Sequence, residues 1–327
     1  MSTLAAPTPV SLGSRVKRFM SDYPIVPLLL LLALLILGLQ LLRPGIINAR
    51  WAAQTLQFAI PLALLAGCQT MTMLTGGIDM SVGTVASVSA FVLGSQVLHH
   101  EPGVAVLIAM APAVLVGLAN GIGIGIFRVH PLIMTLGTGL IAFGGLQVYQ
   151  RTVIATGFDV PPWLEWLGTG LTWGLPNSLF VFAPLAALII YTLRFTGFGR
   201  LLYAIGDNEK AARLSGVEYW KVILALYLAS SLLAGIAGLL FLGLIKTASL
   251  TLVEPQLLPS VAAAVIGGTS IFGGRGGYVG TIVGVLILRV IVTMLTLMQI
   301  PEGARMILFG AIVLFVTAAY LRIVEDR

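Results

Sequence analysis

Charged residues are scarce: Asp, Glu, Lys and Arg make up 9% of the 327 residues, against about 25% in a soluble domain, which excludes an ordinary soluble globular protein. Cysteine is almost absent. The one present, Cys68, lies in an apolar run, so there is no disulfide framework and no CxxC metal or redox site, and the residue reads as packing. No GxxxxGK loop followed by Ser or Thr occurs, so the chain cannot cradle nucleotide phosphates in the usual way. A GxSxG nucleophile elbow is missing too, and the apolar runs hold no paired carboxylates for acid and base work. His99-His100-Glu101 is the one cluster with metal-ligand chemistry. Adjacent residues on a loop point apart and no third or fourth ligand follows at zinc spacing, so the cluster reads as a solvated loop. No enzyme activity and no cofactor are expected in this chain.

What is present is apolar. Hydrophobic residues make up 58% of the chain, and at about 20 residues per bilayer crossing it could supply roughly ten spans. The 38 Gly and 16 Pro lie within apolar runs, where they serve as packing and kink positions. A polar arm, residues 1–24, carries Arg15, Lys17 and Arg18 and precedes an apolar run from Ile25 to Leu42, about 27 Å long as a helix. The run is too long for a signal-peptide core, and no small-x-small cleavage site follows it, so it reads as a retained first span. Further spans are expected near 52–74, 82–98, 103–127, 131–150, 176–193, 222–245, 256–272, 278–298 and 304–321. The third and eighth are short and Gly-interrupted, so they could be half-helices, which puts the count at eight to ten. Summed over alternate connections, twelve basic residues fall on one side and five on the other. The positive-inside rule then places both termini in the cytoplasm. The chain divides into the arm (1–24), one transmembrane domain (25–321) and a short cytoplasmic tail (322–327).

Two connections are long. Residues 151–175 include Asp159-Val160-Pro161-Pro162-Trp163, Trp166 and Trp173, which suits a short interfacial helix or cap on the outer side. Residues 194–221 hold eight of the chain's thirty charges and lie on the basic, inner side. Within them, Gly206 to Gly216 reads as a short helix: Asp207 or Asn208 can cap its start, Glu209 suits the positive end of the dipole, and Gly216 can take a left-handed cap. Ala211, Ala212 and Leu214 give a small apolar face. Two turns alone in water are marginal, so this segment either docks on a partner or the membrane face, or is a solvated loop.

Backbone that leaves helical geometry at membrane depth is tolerated only where it is buried in protein or lines water, and Gly76-Gly77 and Gly267-Gly268 can supply two such breaks. Asp79 and Ser81 can cap the third span, and Thr269 or Ser270 can satisfy backbone beside the second break. Both a capping role and a gate or substrate-contact role remain open. Gly117, Gly121 and Gly125 recur at fourfold spacing, which favours close helix contact. Arg289 falls in the ninth span, where a charge costs at least about 2.5 kcal/mol. It must snorkel, pair with a group such as Glu302, or contact substrate.

The loop Leu202-Tyr203-Ala204-Ile205-Gly206-Asp207-Asn208-Glu209-Lys210-Ala211-Ala212-Arg213-Leu214-Ser215-Gly216 resembles the ATPase-coupling loop of permease subunits of bacterial ABC sugar importers. Their ribose, xylose and galactose branch is related to the branched-chain amino-acid permeases. Three further stretches agree in order: Thr75-Gly76-Gly77-Ile78-Asp79-Met80-Ser81-Val82-Gly83, with Met80 where Leu is usual; Asn120-Gly121 followed by Pro131 to Gly137; and Val265 to Gly277. Arg289 departs from the small or amide residue expected there.

The resemblance implies an all-α polytopic protein of the bacterial inner membrane, with about ten transmembrane helices, Gly-broken helices and a cytoplasmic coupling helix. It implies a permease subunit whose translocation path lies along its interface with a second copy or a close relative. A soluble binding protein outside would deliver a monosaccharide-like solute. ABC ATPase subunits inside would act on Gly206, Asp207, Asn208, Glu209, Ala211, Ala212, Arg213 and Gly216. Polar groups available to such a path are Gln54, Gln57, Gln69, Thr72, Asn120, Thr135, Thr138 and Gln147. The alternative is an ion- or proton-coupled secondary transporter, which normally needs titratable groups deep in the membrane. Asp79, near a span end, is the one acid placed to serve.

Overall fold

A computed structural model describes residues 25–153, 157–247 and 249–325. The basic N-terminal arm with Arg15, Lys17 and Arg18 lies outside the described residues. Twelve α-helices follow in order among the described residues: α1 (Ile25–Leu42), α2 (Ala49–Leu74), α3 (Val82–Gln96), α4 (Pro102–Gly125), α5 (Pro131–Val153), α6 (Pro162–Thr169), α7 (Leu179–Phe195), α8 (Gly197–Leu214), α9 (Tyr219–Ile245), α10 (Leu257–Ile266), α11 (Tyr278–Leu297) and α12 (Glu302–Glu325). The strand content among the described residues is one two-residue hairpin, Leu171–Thr172 with Leu175–Pro176.

The protein is a polytopic helical membrane protein. Six described helices, α1, α2, α4, α5, α9 and α11, are long and apolar enough to cross a bilayer, and α7 with α8, bent by 65° at their junction, counts as a seventh if the pair is one span. The two runs expected to be short are short: α3 has 15 residues and α10 has 10. Those lengths are roughly 22 and 15 Å, against a hydrocarbon core of about 30 Å. A helix stands at each of the ten expected positions, but α3 and α10 are too short to cross alone, α12 is not among the six and α7 qualifies only together with α8, so the expected count of eight to ten spans is not reached among the described residues.

Two groups of helices share α2. On one side α9 packs against α2, α3, α4 and α6; on the other α11 and α10 pack against α2, with α1 and α12 outside them. Small residues set the first group's spacing. A Cβ on Gly117 would lie 2.9 Å from the Leu228 Cα, and one on Gly121 2.7 Å from the Leu224 Cα, so the fourfold glycine row of α4 is where α9 makes backbone contact. α2 is buried from Ala59 to Leu74, while large apolar side chains such as Leu34, Leu41, Ile141 and Phe315 stay exposed on α1, α5 and α12. Those faces suit lipid.

The long connection after α5 holds α6 and the hairpin. Trp173 and Gly174 both have positive φ at its tip, the backbone of a tight two-residue hairpin turn. Trp166 stacks on Phe180 with ring centres 6.0 Å apart. The other long connection is mostly helix and not loop. α8 starts at Gly197, ten residues earlier than Asp207, because Phe198, Leu201, Leu202 and Ile205 supply an apolar face that docks on the core.

Candidate functional site

Three helices end in the same way. At the end of α2, Gly76 has φ +78°, its N–H donates to the Met73 carbonyl, and the Gly77 N–H donates to that of Thr72. At the end of α10, Gly268 has φ +88°, with Gly268 N–H to Val265 and Thr269 N–H to Ala264. At the end of α8, Gly216 has φ +87°, with Gly216 N–H to Arg213 and Val217 N–H to Ala212. Each pair of bonds satisfies carbonyls the helix would leave open, in the Schellman pattern that a left-handed glycine permits. Gly76 and Gly268 therefore stop two helices inside the protein, as expected, while Gly77 and Gly267 do not take the left-handed turn.

The two breaks and α8 meet. The Gly274 N–H donates to the Leu74 carbonyl at 3.0 Å, which ties the loop after α10 to the end of α2. Gly206, in the middle of α8, lies across this tie: a Cβ there would overlap the Leu74 carbonyl oxygen and sit 2.5 Å from the Gly274 nitrogen. Tyr203, one turn earlier, donates its hydroxyl to the Gly276 carbonyl at 2.9 Å. Backbone from three distant parts of the chain is thus in contact at one point, and only glycine fits there.

Beyond Gly206 the helix is interrupted. Asn208 has extended backbone, φ −157° and ψ 98°, and its Oδ1 accepts from the Ala211 N–H at 3.0 Å, so it is an N-cap for a last short segment ending at Gly216. Of the two cap residues considered, the role falls to Asn208 and not Asp207. Glu209 sits in the first turn, 2.7 Å from Arg128 Nη1 and 3.7 Å from Arg213 Nη1, and Arg128 lies over the Tyr219 ring at 3.7 Å. The expected small apolar face divides. Ala212 is 6% exposed and belongs to the core, whereas Leu214 is 91% exposed. Ala211 is exposed as well.

A buried polar network joins several of the remaining residues. Asp79 Oδ1 accepts from the Ser81 N–H (3.0 Å) and the Ser81 hydroxyl (2.6 Å), and Asp79 Oδ2 accepts from the Ser230 hydroxyl (3.0 Å). Asn120 Nδ2 donates to Ser81 Oγ (3.0 Å), and Thr138 donates to Asn120 Oδ1 (2.6 Å). Gln69 closes the other side, with its amide to the Asp79 carbonyl (2.7 Å), and Thr135 Oγ1 accepts from the Met80 N–H (3.0 Å). Gln69, Asp79, Ser81, Asn120, Thr135 and Ser230 are all 0% exposed. The network holds the α2–α3 connection to α4, α5 and α9, and it is fully satisfied at each named acceptor. Ser81 stands at the N-cap of α3 without a side-chain capping bond; its hydroxyl serves Asp79 and Asn120 instead.

Other polar candidates lie apart from this network. Gln54 and Gln147 face outward, Gln57 donates to the Thr169 carbonyl at 2.9 Å, and Thr72 bonds back to carbonyls of its own helix. At the second break, Ser270 Oγ accepts from the Phe272 N–H at 3.1 Å, while Thr269 Oγ1 is buried without a partner. Arg289 does not pair with Glu302, which is held by Arg305 at 3.0 Å; its guanidinium lies 4.9 Å from the centre of the Phe58 ring. Sequence reasoning does not single out Ser230, Tyr203 or Arg128 as site residues. Ser230 and Ser231 form a small polar pair within the apolar run of α9, which reads as helix packing, and nothing local tells Ser230 to face Asp79.

Comparison with known proteins gives one family. The model for the permease component of branched-chain amino acid transport systems matches residues 51–317. The ribose import permease protein of Bacillus subtilis (strain 168) is 32% identical over 284 residues, 86% of this chain and 88% of that protein. The ribose import permease protein of Escherichia coli (strain K12) is 32% identical over 298 residues, 90% of this chain and 92% of its own. The fructose import permease protein of Rhizobium meliloti is 29% identical over 319 residues, 94% and 88%. No solved structure matches.

Proposed function

Because this chain belongs to the family of permease components of branched-chain amino acid transport systems, we propose that it forms the translocation path of an ABC importer for a monosaccharide or similar polar solute. The observation that carries this reading is the match, over most of both chains, to import permeases of ribose and fructose. It favours an ATP-driven importer over an ion-coupled carrier. The chain itself is a transport subunit and not an enzyme.

In this reading the protein sits in the bacterial inner membrane with both termini and α8 on the cytoplasmic side. ATP is hydrolysed by separate ABC ATPase subunits that dock on the segment from Gly206 to Gly216. A soluble receptor outside delivers the solute, and a second permease copy or a close relative completes the path. The contact of Gly206 with Leu74 and Gly274 supports a coupling role, since displacement of α8 bears directly on both helix breaks. The Asp79 network fixes the α2–α3 break as one rigid unit with α4, α5 and α9, so a push on α8 moves packed helices and not a loose loop. No cofactor is required in the chain for this work. Binding of a panel of pentoses and hexoses to the cognate soluble receptor tests the solute class: tight binding of one sugar is expected, and binding of amino acids instead of sugars would overturn it.

A further inference from the structure

Arg289 lies in the middle of α11, and its Nε is buried without a hydrogen-bond partner, as is the Nε of Arg305. Both guanidiniums line one cavity of about 270 Å³ with Gln256 and Glu302, walled by Phe58 and Phe309. The cavity lies between the later halves of α9 and α11 and the starts of α10 and α12, at the end of the protein away from α8. Among the described residues Glu302 is the only acid in that lining, which leaves one positive charge in excess there. A ring face such as that of Phe58 attracts a guanidinium but supplies no acceptor for its N–H groups. A charge at membrane depth that faces a cavity and lacks an acceptor marks a site for a group that brings one.

We propose that this cavity binds an oxyanion, a single carboxylate or phosphate group held by Arg289, with Arg305 as the second positive pole. The planar fork of arginine matches both groups. The volume falls just below the roughly 300–1,000 Å³ of pockets for drug-sized ligands, so the occupant is a headgroup or a single-ring acid. Its source is either the phosphate of a phospholipid at that face or the carboxylate of an acidic solute such as a sugar acid. The second source rests on the importer reading; the site itself does not. Glu302, with its side chain 62% exposed, sits at the rim and competes with the incoming anion for Arg305.

The test uses the full chain in micelles of an uncharged polyoxyethylene detergent, which brings no phosphate or carboxylate. Thermal unfolding is followed while galacturonate is titrated, and separately while phosphatidylglycerol is added to the micelles, with galactose as the uncharged control. Saturable stabilisation by galacturonate beyond that of galactose assigns the solute source, by phosphatidylglycerol the lipid source, and by both a site open to either. Arg289→Met, which removes charge while keeping bulk, weakens the response at least about tenfold, the loss expected for a charge-assisted hydrogen bond. Glu302→Gln strengthens it severalfold. Absence of any anion response in the wild type, or the same response in both variants as in the wild type, overturns the proposal. If Arg289→Met does not insert, Glu302→Gln alone decides, since unchanged affinity there contradicts competition at the rim. Sugar uptake is a separate readout, so failure of this site and failure of the importer reading are distinguishable.

Discussion

Asp79 is a buried carboxylate whose hydrogen-bond donors are two serine hydroxyls and one backbone N–H. Asp79→Ala leaves the Ser230 hydroxyl without its acceptor and loosens Ser81, a loss of about 1–3 kcal/mol per stranded buried group. Asp79→Asn keeps one oxygen acceptor, so melting of the purified proteins is expected to show a clearly smaller fall for Asn than for Ala. Equal falls would mean that the charge, and not the acceptors, is what the site uses. The glycines separate in the same way. Gly268 has positive φ with open space around its α-carbon, so Gly268→Ala costs only the left-handed penalty, about 1–2 kcal/mol. Gly268→Val, β-branched at positive φ, is worse. Gly206→Ala has no room at all. Size-exclusion profiles should show Gly268→Ala monodisperse and Gly206→Ala misassembled; a well-behaved, transporting Gly206→Ala would rule out the three-way backbone contact.

At the scale of elements, α8 is the part whose sequence was most and least informative. Gly216 marks the end of its last segment by residue type alone, and the pair Asp207-Asn208 marks its start to within one residue, because a side-chain oxygen before a helix and a glycine after it have few other uses; the choice of Asn208 needed the backbone. The face that segment presents was not legible. It is set by Phe198, Leu201, Leu202 and Ile205 further back, which dock α8 and turn Ala212 into the core and Leu214 out. Ala212→Glu would thus bury a charge in the permease itself, so it does not probe docking. Leu214→Asp does: it is expected to insert and melt like the wild type, within about 0.5 kcal/mol, yet to lose stimulation of ATP hydrolysis and solute movement. Normal coupling in Leu214→Asp would exclude this face as the docking surface. The Gly206 contact was also hidden, since its partners Leu74 and Gly274 are remote in sequence.

Over the whole molecule, apolar run length located the helices, because a bilayer imposes one length on every crossing, but it overcounted the crossings: six described helices, or seven with the bent pair, are long and apolar enough, against eight to ten expected. The shortness of α3 and α10 was legible as well, from their short runs and the glycines at Gly76 and Gly268, whereas the network around Asp79 was not, since Ser230 and Asn120 are remote from it in sequence. The charge asymmetry predicts a topology that exposed residues can report. In a Cys68→Ser background, Leu214→Cys should resist an impermeant thiol reagent in intact cells, while Trp173→Cys, at a position 93% exposed, should react. Labelling of position 214 from outside would invert the orientation and place α8 beyond the reach of any cytoplasmic ATPase.

In the proposed function, ATP hydrolysis by a partner, and not an ion gradient, drives a polar solute through this chain. The direct measurement is uptake of labelled pentoses and hexoses by liposomes holding the chain with its ATPase subunits and soluble receptor, with ATP supplied on the ATPase side and ionophores present. Uptake is expected to need ATP and the receptor and to be unaffected by the ionophores; uptake that continues without ATP and collapses when ion gradients are removed would contradict it.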